Sequence, residues 1–283
     1  MKPFEPNCLP LDCIDWGAHV TLVGRANAAL ARYDGMLQGV VNPAVLLSPM
    51  TTQEAVLSSR IEGTQASMEE VLEYEAGSTE KIIPEKHADI QEIINYRHAM
   101  AVAKAQFEII HPFLDGNGRL GRMLIPLFLY AKRLLSSPMF YMSAYLEEHR
   151  DVYYERLQAI SKNGDWNGWI TFFLSALTEQ AAQNTETTKA IIDLYERLKK
   201  QVVDATHSQF AVQALDAIFS RPVFRSSQFQ QLANIKTRST AARILRKLRE
   251  VGVLKVLKEG KGRRSALIMF PELIYLVEGK RVL

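Results

Sequence analysis

Apolar residues recur at three- and four-residue intervals along most of this chain, the period of helices with one buried face. The spacing predicts a helix from His19 to about Met36, carrying Leu22, Val23, Ala26, Ala29, Leu30 and Tyr33. Residues 1–17, with three prolines, read as an extended arm before it. A loop holding Pro43 and Pro49 is expected from Leu37 to Met50, and Thr51-Thr52-Gln53-Glu54 reads as the next helix start. Ser67 to Tyr74 reads as a short helix ending near Gly77. Pro84 opens a long helical pattern (Ile90, Ile93, Ile94, Val102, Phe107, Ile109, Ile110) that stops at His111, because Pro112 disfavours helical dihedrals at the residue before it.

Helical spacing resumes at Arg119, through Met123, Leu124, Ile125, Leu127, Phe128, Leu129 and Leu134. That stretch is apolar on nearly every side, which predicts a buried central helix, and Pro126 within it predicts a kink. Tyr141 to Arg156 reads as one helix, Asn163-Gly164-Asp165 as a turn, and Trp166–Leu177 as a further apolar helix. A polar helix from Glu179 to about Val203 follows, with Leu194, Leu198 and Val202 on one side. Three uses are open for it: linker, dimer seam or lid.

The pattern changes near residue 206. Phe210–Phe219 and Ser227–Leu232 suit two short helices, and Thr237–Val251 a longer third one carrying Arg238, Arg243, Arg246, Lys247 and Arg249. Val253–Leu257 and Ala266–Phe270 read as strands joined by Glu259-Gly260-Lys261-Gly262-Arg263-Arg264. Such an order reads as a winged helix. A basic third helix and wing is the footprint of a duplex-DNA reader; a protein-docking module with a solvated basic face is the other reading.

Composition narrows the class. With 283 residues, 47% of them hydrophobic, the chain suits one larger and one smaller globular domain. There is no run of eighteen apolar residues and no apolar signal-peptide core at the N-terminus, so a membrane span is not expected. Cys8 and Cys13 are the only cysteines, too few for a disulfide framework or a structural zinc site, and a reduced, cytoplasmic setting follows as an expectation. His19, His87, His98 and His207 lack metal-like clustering and read as structural or exposed. The net charge of +3 hides an asymmetry: residues 206–283 hold 15 Lys/Arg against 5 Asp/Glu, so the rest of the chain is net acidic.

The chemistry concentrates in His111-Pro112-Phe113-Leu114-Asp115-Gly116-Asn117-Gly118-Arg119-Leu120-Gly121-Arg122. Asp115-Gly116-Asn117-Gly118 reads as a tight turn feeding a helix start, where free backbone N–H groups attract anions. Arg119 and Arg122, three apart, leave the first turn on neighbouring faces and can clamp phosphate oxygens. Asp115 is a hard oxygen ligand suited to Mg²⁺, which binds through one or two carboxylates plus substrate phosphates. His111, with a reference pKa of about 6.5, suits removal of a proton from a hydroxyl. Together these point to a Mg–nucleotide site with a general base at its rim.

All twelve positions resemble the signature of the Fic (filamentation induced by cAMP) family. The resemblance implies transfer of AMP from ATP to a Ser, Thr or Tyr hydroxyl of a protein, the chain itself included. It implies His111 as general base and Asp115 as the Mg²⁺ ligand. Phe113, Gly116, Asn117, Gly118, Arg119 and Arg122 become nucleotide-binding residues, with Arg122 nearest the γ-phosphate. Upstream, Ser58-Ser59-Arg60-Ile61-Glu62-Gly63 resembles the family's inhibitory motif, in which Ser58, Glu62 and Gly63 match. The mechanism implied is that Glu62 pairs with Arg122 and removes the cation that holds the γ-phosphate. Tyr145, His149, Arg150, Tyr153 and Tyr154 resemble the family's post-motif helix, whose tyrosines lie near the adenine; aromatic packing in a half-buried helix is the alternative.

The sequence also departs from the family. The helices and β-hairpin flap that normally separate a segment like Glu92–Ala103 from one like Ala105–Ile110 have no counterpart here. Their loss leaves the target-aligning half of the site in question and core surface uncovered.

The fold expected is mainly α: an N-terminal helical region with the inhibitory helix (1–80), a Fic-type helical core (81–205) and a small α+β winged-helix domain (206–283). The function expected is a self-inhibited protein adenylyltransferase using ATP and Mg²⁺. Two alternatives stand beside it: a nucleotide-sensing DNA-binding regulator, and removal of AMP from modified proteins by the same site.

Overall fold

In the computed structural model, residues 14–77, 117–262 and 264–279 are described. The chain is mainly helical, as its periodicity predicts. In order come α1 (Trp16–Gly39), α2 (Pro43–Leu46), α3 (Ser48–Ile61), α4 (Met68–Glu75), α5 (Asn117–Ala131), α6 (Ser143–Glu148), α7 (Arg150–Asn163) and α8 (Trp166–Thr206). Then follow α9 (Ala211–Ser220), β1 (Val223–Arg225), α10 (Phe229–Leu232), α11 (Arg238–Glu250), β2 (Lys255–Lys258), β3 (Leu267–Met269) and α12 (Pro271–Val277). They form two compact units, residues 1–38 with 120–185 and residues 39–119 with 186–283.

In the first unit α1 begins at Trp16, earlier than the apolar spacing suggests. Asp15 supplies the reason: its Oδ1 accepts the Ala18 N–H at 3.0 Å, satisfying a donor at the helix start. The end of the predicted arm is therefore helical. Ala26, Ala29, Leu30, Tyr33 and Leu37 form the buried stripe of α1. The Tyr33 hydroxyl donates to the Met139 carbonyl at 2.7 Å, and its ring meets Phe140 edge-on with centroids 5.9 Å apart. His19 is buried and its Nε2 lies 3.1 Å from Asn167 Oδ1, a structural role.

Three expectations need correction in this unit. The run from Tyr141 breaks at His149 (φ −107°, ψ 32°) into α6 and α7. The predicted apolar and polar helices from Trp166 to Val203 are one 41-residue helix, because no glycine or proline interrupts the backbone ladder after Gly168. And α5 is not buried all round. Arg122, Met123, Pro126 and Leu129 are buried, while Leu124, Phe128 and Tyr130 are exposed by 42%, 59% and 47%. An all-apolar helix shows which faces are able to be buried, not which have a partner.

In the second unit the expected loop at 37–50 is largely helical. Pro43 and Pro49 sit in the first turns of α2 and α3, where a missing N–H costs nothing. Thr51 and Thr52, which read as a helix start, instead donate their hydroxyls back to the Leu47 and Ser48 carbonyls (3.5 and 3.4 Å). Met50, Ala55, Val56 and Ile61 of α3 are buried, each burial being worth up to about 1.5–3 kcal/mol for the larger side chains. α4 starts at a capping box, Glu70 N–H to Ser67 Oγ and Ser67 N–H to Glu70 Oε2 (3.2 and 2.8 Å).

The stripe of α8 that includes Leu194, Leu198 and Val202 is also buried. Nearby, Tyr195 donates to Asp216 at 2.7 Å, Gln201 to the Val251 carbonyl at 3.4 Å, and Arg197 pairs with Glu272. The C-terminal elements follow the predicted order, with two additions that were not read, β1 and α12. The sheet order is β1-β3-β2, antiparallel throughout, with Phe224 opposite Ile268 and Val256 opposite Ile268, and a bulge between Val256 and Lys258. Phe219, Phe224, Phe229 and Phe270 fill its core. α9 packs on α2 and α3, α12 on α3, and β1 on α4, so these elements share one core with residues 39–77.

Candidate functional site

Of the residues singled out by the twelve-residue stretch, His111, Phe113, Asp115 and Gly116 lie outside the described residues, as does the segment from Pro84 in which the flap has no counterpart. α5 begins at Asn117, two residues before the predicted resumption at Arg119. Asn117 and Gly118 therefore belong to its first turn. The first N–H groups of a helix have no acceptor within it, and the aligned peptide dipoles add partial positive charge there. The sequence Asp115-Gly116 feeds directly into that end.

Two guanidiniums emerge from the same turn. Arg119 is half-buried and Arg122 is 2% exposed. Both arginines interact with other groups, and the buried Arg119 Nη1 has no hydrogen-bond partner among the described residues. A helix start bearing two cations has the charge that suits anionic oxygens.

In the second unit, the stretch resembling the inhibitory motif forms the C-terminus of α3. Ser58 is fully buried, whereas Glu62, the C-cap residue, is exposed. Gly63 follows at φ 107°, a conformation open to glycine and strained for other residues. Its N–H donates to the Arg60 carbonyl at 2.9 Å and the Thr64 N–H to the Ser59 carbonyl at 3.2 Å. This is a Schellman close, which ends the helix at Ile61 with Glu62 as its C-cap.

The first unit holds further groups that the motif did not point to. Gln180 and Asn184, both buried and one turn apart on α8, fasten the segment before and within α6. Gln180 Oε1 accepts the Tyr145 N–H at 2.8 Å, Gln180 Nε2 donates to Asn184 Oδ1 at 3.0 Å, and Asn184 Nδ2 donates to the Tyr141 carbonyl at 2.9 Å. The signal in the sequence is a Gln and an Asn at i and i+4 flanking Ala181. Tyr145 stacks on His149 with centroids 4.1 Å apart, and burial, with Glu179 and Glu148 adding to it, pushes its hydroxyl pKa up. Tyr153 packs against Tyr154, Trp169 and Phe172, and Arg150 lies over the Tyr154 ring at 5.8 Å. These side chains form an aromatic cluster.

Beside it runs an apolar groove of about 470 Å³, with Val23 and Leu30 of α1, Leu124 and Phe128 of α5, and Phe173 and Leu177 of α8 on its walls. The exposed side of α5 faces this space.

No helix among the described residues is long and apolar enough to cross a membrane. Residues 20–105 match the family model for the N-terminal region of the Fic/DOC family. The match takes in α1 to α4 and ends before His111. It supports Fic family membership, and that family generally transfers nucleoside monophosphates to proteins.

Proposed function

We propose that the chain is a protein adenylyltransferase that uses MgATP and is restrained by Glu62. His111 takes the proton from a Ser, Thr or Tyr hydroxyl of a target protein or of the chain itself. The hydroxyl oxygen forms a bond to the α-phosphorus while the bond from that phosphorus to the α–β bridging oxygen breaks. The products are an AMP ester on the protein and pyrophosphate, with the proton on His111. General-base help of this kind is typically worth about 10²–10⁴ in rate.

The observation that carries the reading is the unbroken run from His111 to Arg122, whose last six residues open α5 with a half-buried and a buried arginine in its first turns. Gly116, Asn117 and Gly118 would bring backbone N–H groups to the phosphates, Arg119 and Arg122 would hold their oxygens, and Phe113 would line the nucleotide pocket. Among the described residues no three His, Cys, Asp or Glu side chains converge as a metal-binding set. A metal that arrives on substrate phosphates needs one protein carboxylate, a role for Asp115. In this reading Glu62, an exposed residue, pairs with Arg122.

The test is ATP labelled at the α-phosphate, with Mg²⁺, on the wild type, Glu62→Gly and the Glu62→Gly/His111→Ala double variant. Label on Glu62→Gly, weak on the wild type and absent from the double variant, is the expected result. Label on the double variant overturns the role of His111; equal label on wild type and Glu62→Gly overturns the restraint. No label on any of the three, with ATP still bound, overturns the transferase reading.

A further inference from the structure

The positive charge of the C-terminal residues is not spread evenly, and the structure sorts it. Of the five basic residues on α11, Arg243 donates to the Thr206 carbonyl at 3.0 Å and Lys247 pairs with Glu250 at 2.8 Å, so both are engaged within the chain. Lys258 at the start of the predicted wing pairs with Glu73, and Arg225 donates to the Ser265 and Gly77 carbonyls (3.0 and 2.7 Å). Arg238, Arg246 and Arg249 are different. They are exposed and line one cleft of about 500 Å³, with Ser227 and Ser265 on its opposite rim. The side chains of Arg238 and Arg249 make no hydrogen bond or ion pair among the described residues, and that of Arg246 has only a solvent-exposed contact with Glu250 at 3.6 Å.

The helix is built to present this face. Ala241, Ile244, Leu245 and Leu248 are buried, and Arg238, Ala242, Arg246 and Arg249 form an exposed strip directly beside that buried face. Arg238 and Arg249 are eleven residues apart, about 16 Å along a helix axis. A B-form major groove is about 12 Å wide, so guanidiniums at the two ends reach the phosphates on its two borders. Ala242 between them has only a methyl side chain, which lets the backbone come close to the base edges. The serine rim is fixed by the Arg225 contact and by a 2.9 Å hydrogen bond between Ser227 Oγ and Ser265 Oγ, in which the accepting hydroxyl keeps its own proton to donate to a phosphate oxygen.

We infer that this cleft is a duplex-DNA site, with Arg238, Arg246 and Arg249 as its phosphate contacts and α11 as the element that enters the major groove. Duplex RNA fits less well, because its major groove is deep and too narrow for side chains to read. Of the basic third helix and wing read from the sequence, the proposal rests on the cleft side of the helix, α11. This site stands independently of nucleotidyl transfer.

The test uses the full chain and a fluorescein-labelled mixed-sequence duplex of about two helical turns, read by anisotropy across a salt series. The wild type is expected to bind, with log K falling linearly against log salt. Arg238→Ala/Arg246→Ala/Arg249→Ala is expected to bind at least about tenfold more weakly at moderate salt and to lose about one unit of slope for each arginine that contacts a phosphate. Lys255→Ala, which removes an exposed charge outside the cleft, is expected to stay within about twofold of wild type. Circular dichroism checks that the triple variant is folded; should it unfold, Arg246→Gln/Arg249→Gln takes its place. The site is overturned by no binding at low salt, by variants that bind as the wild type does, or by polyglutamate or duplex RNA competing as well as DNA.

Discussion

The Thr64 N–H donates to the Ser59 carbonyl at 3.2 Å, and the chain reverses between them through Gly63 at φ 107°. A Cβ on Gly63 would meet no atom within 4 Å, so the cost of a side chain there is conformational alone. Gly63→Ala is expected to lower stability by about 1–2 kcal/mol in urea unfolding. Gly63→Asn should cost less, because Asn tolerates positive φ. Equal stability of wild type and Gly63→Ala would show that the α3 end is not held in this form.

Ser58 and Glu62 should respond in opposite ways although they are one turn apart. Ser58 is fully buried, so Ser58→Leu overpacks its site and is expected to cost about 1–3 kcal/mol. Glu62 is exposed, and Glu62→Ala is expected to change stability by less than about 0.5 kcal/mol. Thermal melts read beside the AMP-transfer assay separate the two: a Glu62→Ala variant that gains activity only by melting early would count against a specific restraint.

Asn184→Ala removes one of the two acceptors of Gln180 Nε2, the other being Gln183 Oε1, and the donor to the Tyr141 carbonyl. Leaving those buried groups unserved is expected to cost about 1–3 kcal/mol. Asn184→Asp should be no better, since a carboxylate cannot donate to Tyr141. Denaturant midpoints for the two variants check this, and a midpoint for Asn184→Asp equal to wild type would break the assigned network.

Asp34 carries a pH signature. Burial works against its charge, but the Ser136 N–H and hydroxyl and the Gln38 amide outweigh burial and hold its pKa below the ordinary carboxylate value. A carboxylate with a depressed folded pKa contributes stability above its unfolded value of about 3.9 and loses it as pH falls through the folded one. The stability gap between wild type and Asp34→Asn should therefore be constant near neutrality and shrink as pH drops below about 4. Unfolding measured from pH 7 down to pH 3 reads it; a gap independent of pH would remove Asp34 from the account.

Much of the fold is legible because burial is periodic. The α1 stripe, the Ser67 start of α4 and the alternation of helices and strands after residue 206 all follow from spacing and capping chemistry. What spacing misreads is context. Pro43 and Pro49 look like loop residues until they occupy first helical turns, and Thr51 and Thr52 look like caps until their hydroxyls turn back on the preceding turn. β1 and Pro271–Val277 are too short to show a period, and α5 gives no hint of which apolar face lies open. Of the candidate site, the arginines of the first α5 turns and the Gly63 stop are legible from residue type. Gln180 and Asn184 are not, because their importance lies in carbonyls and N–H groups about forty residues away that no local pattern reveals.

The burial of α3 also bears on how the proposed restraint is able to be lost. Its residues Met50, Ala55, Val56 and Ile61 are walls of the second unit, with α9 and α12 resting on the same helix. Cutting the segment away would remove a wall of the second unit. Under the proposed reading, deletion or clipping of α3 is expected to cost the fold of that unit rather than release activity. The origin of a runaway form narrows to substitutions that leave the helix standing, and for the charge itself to the single codon of Glu62.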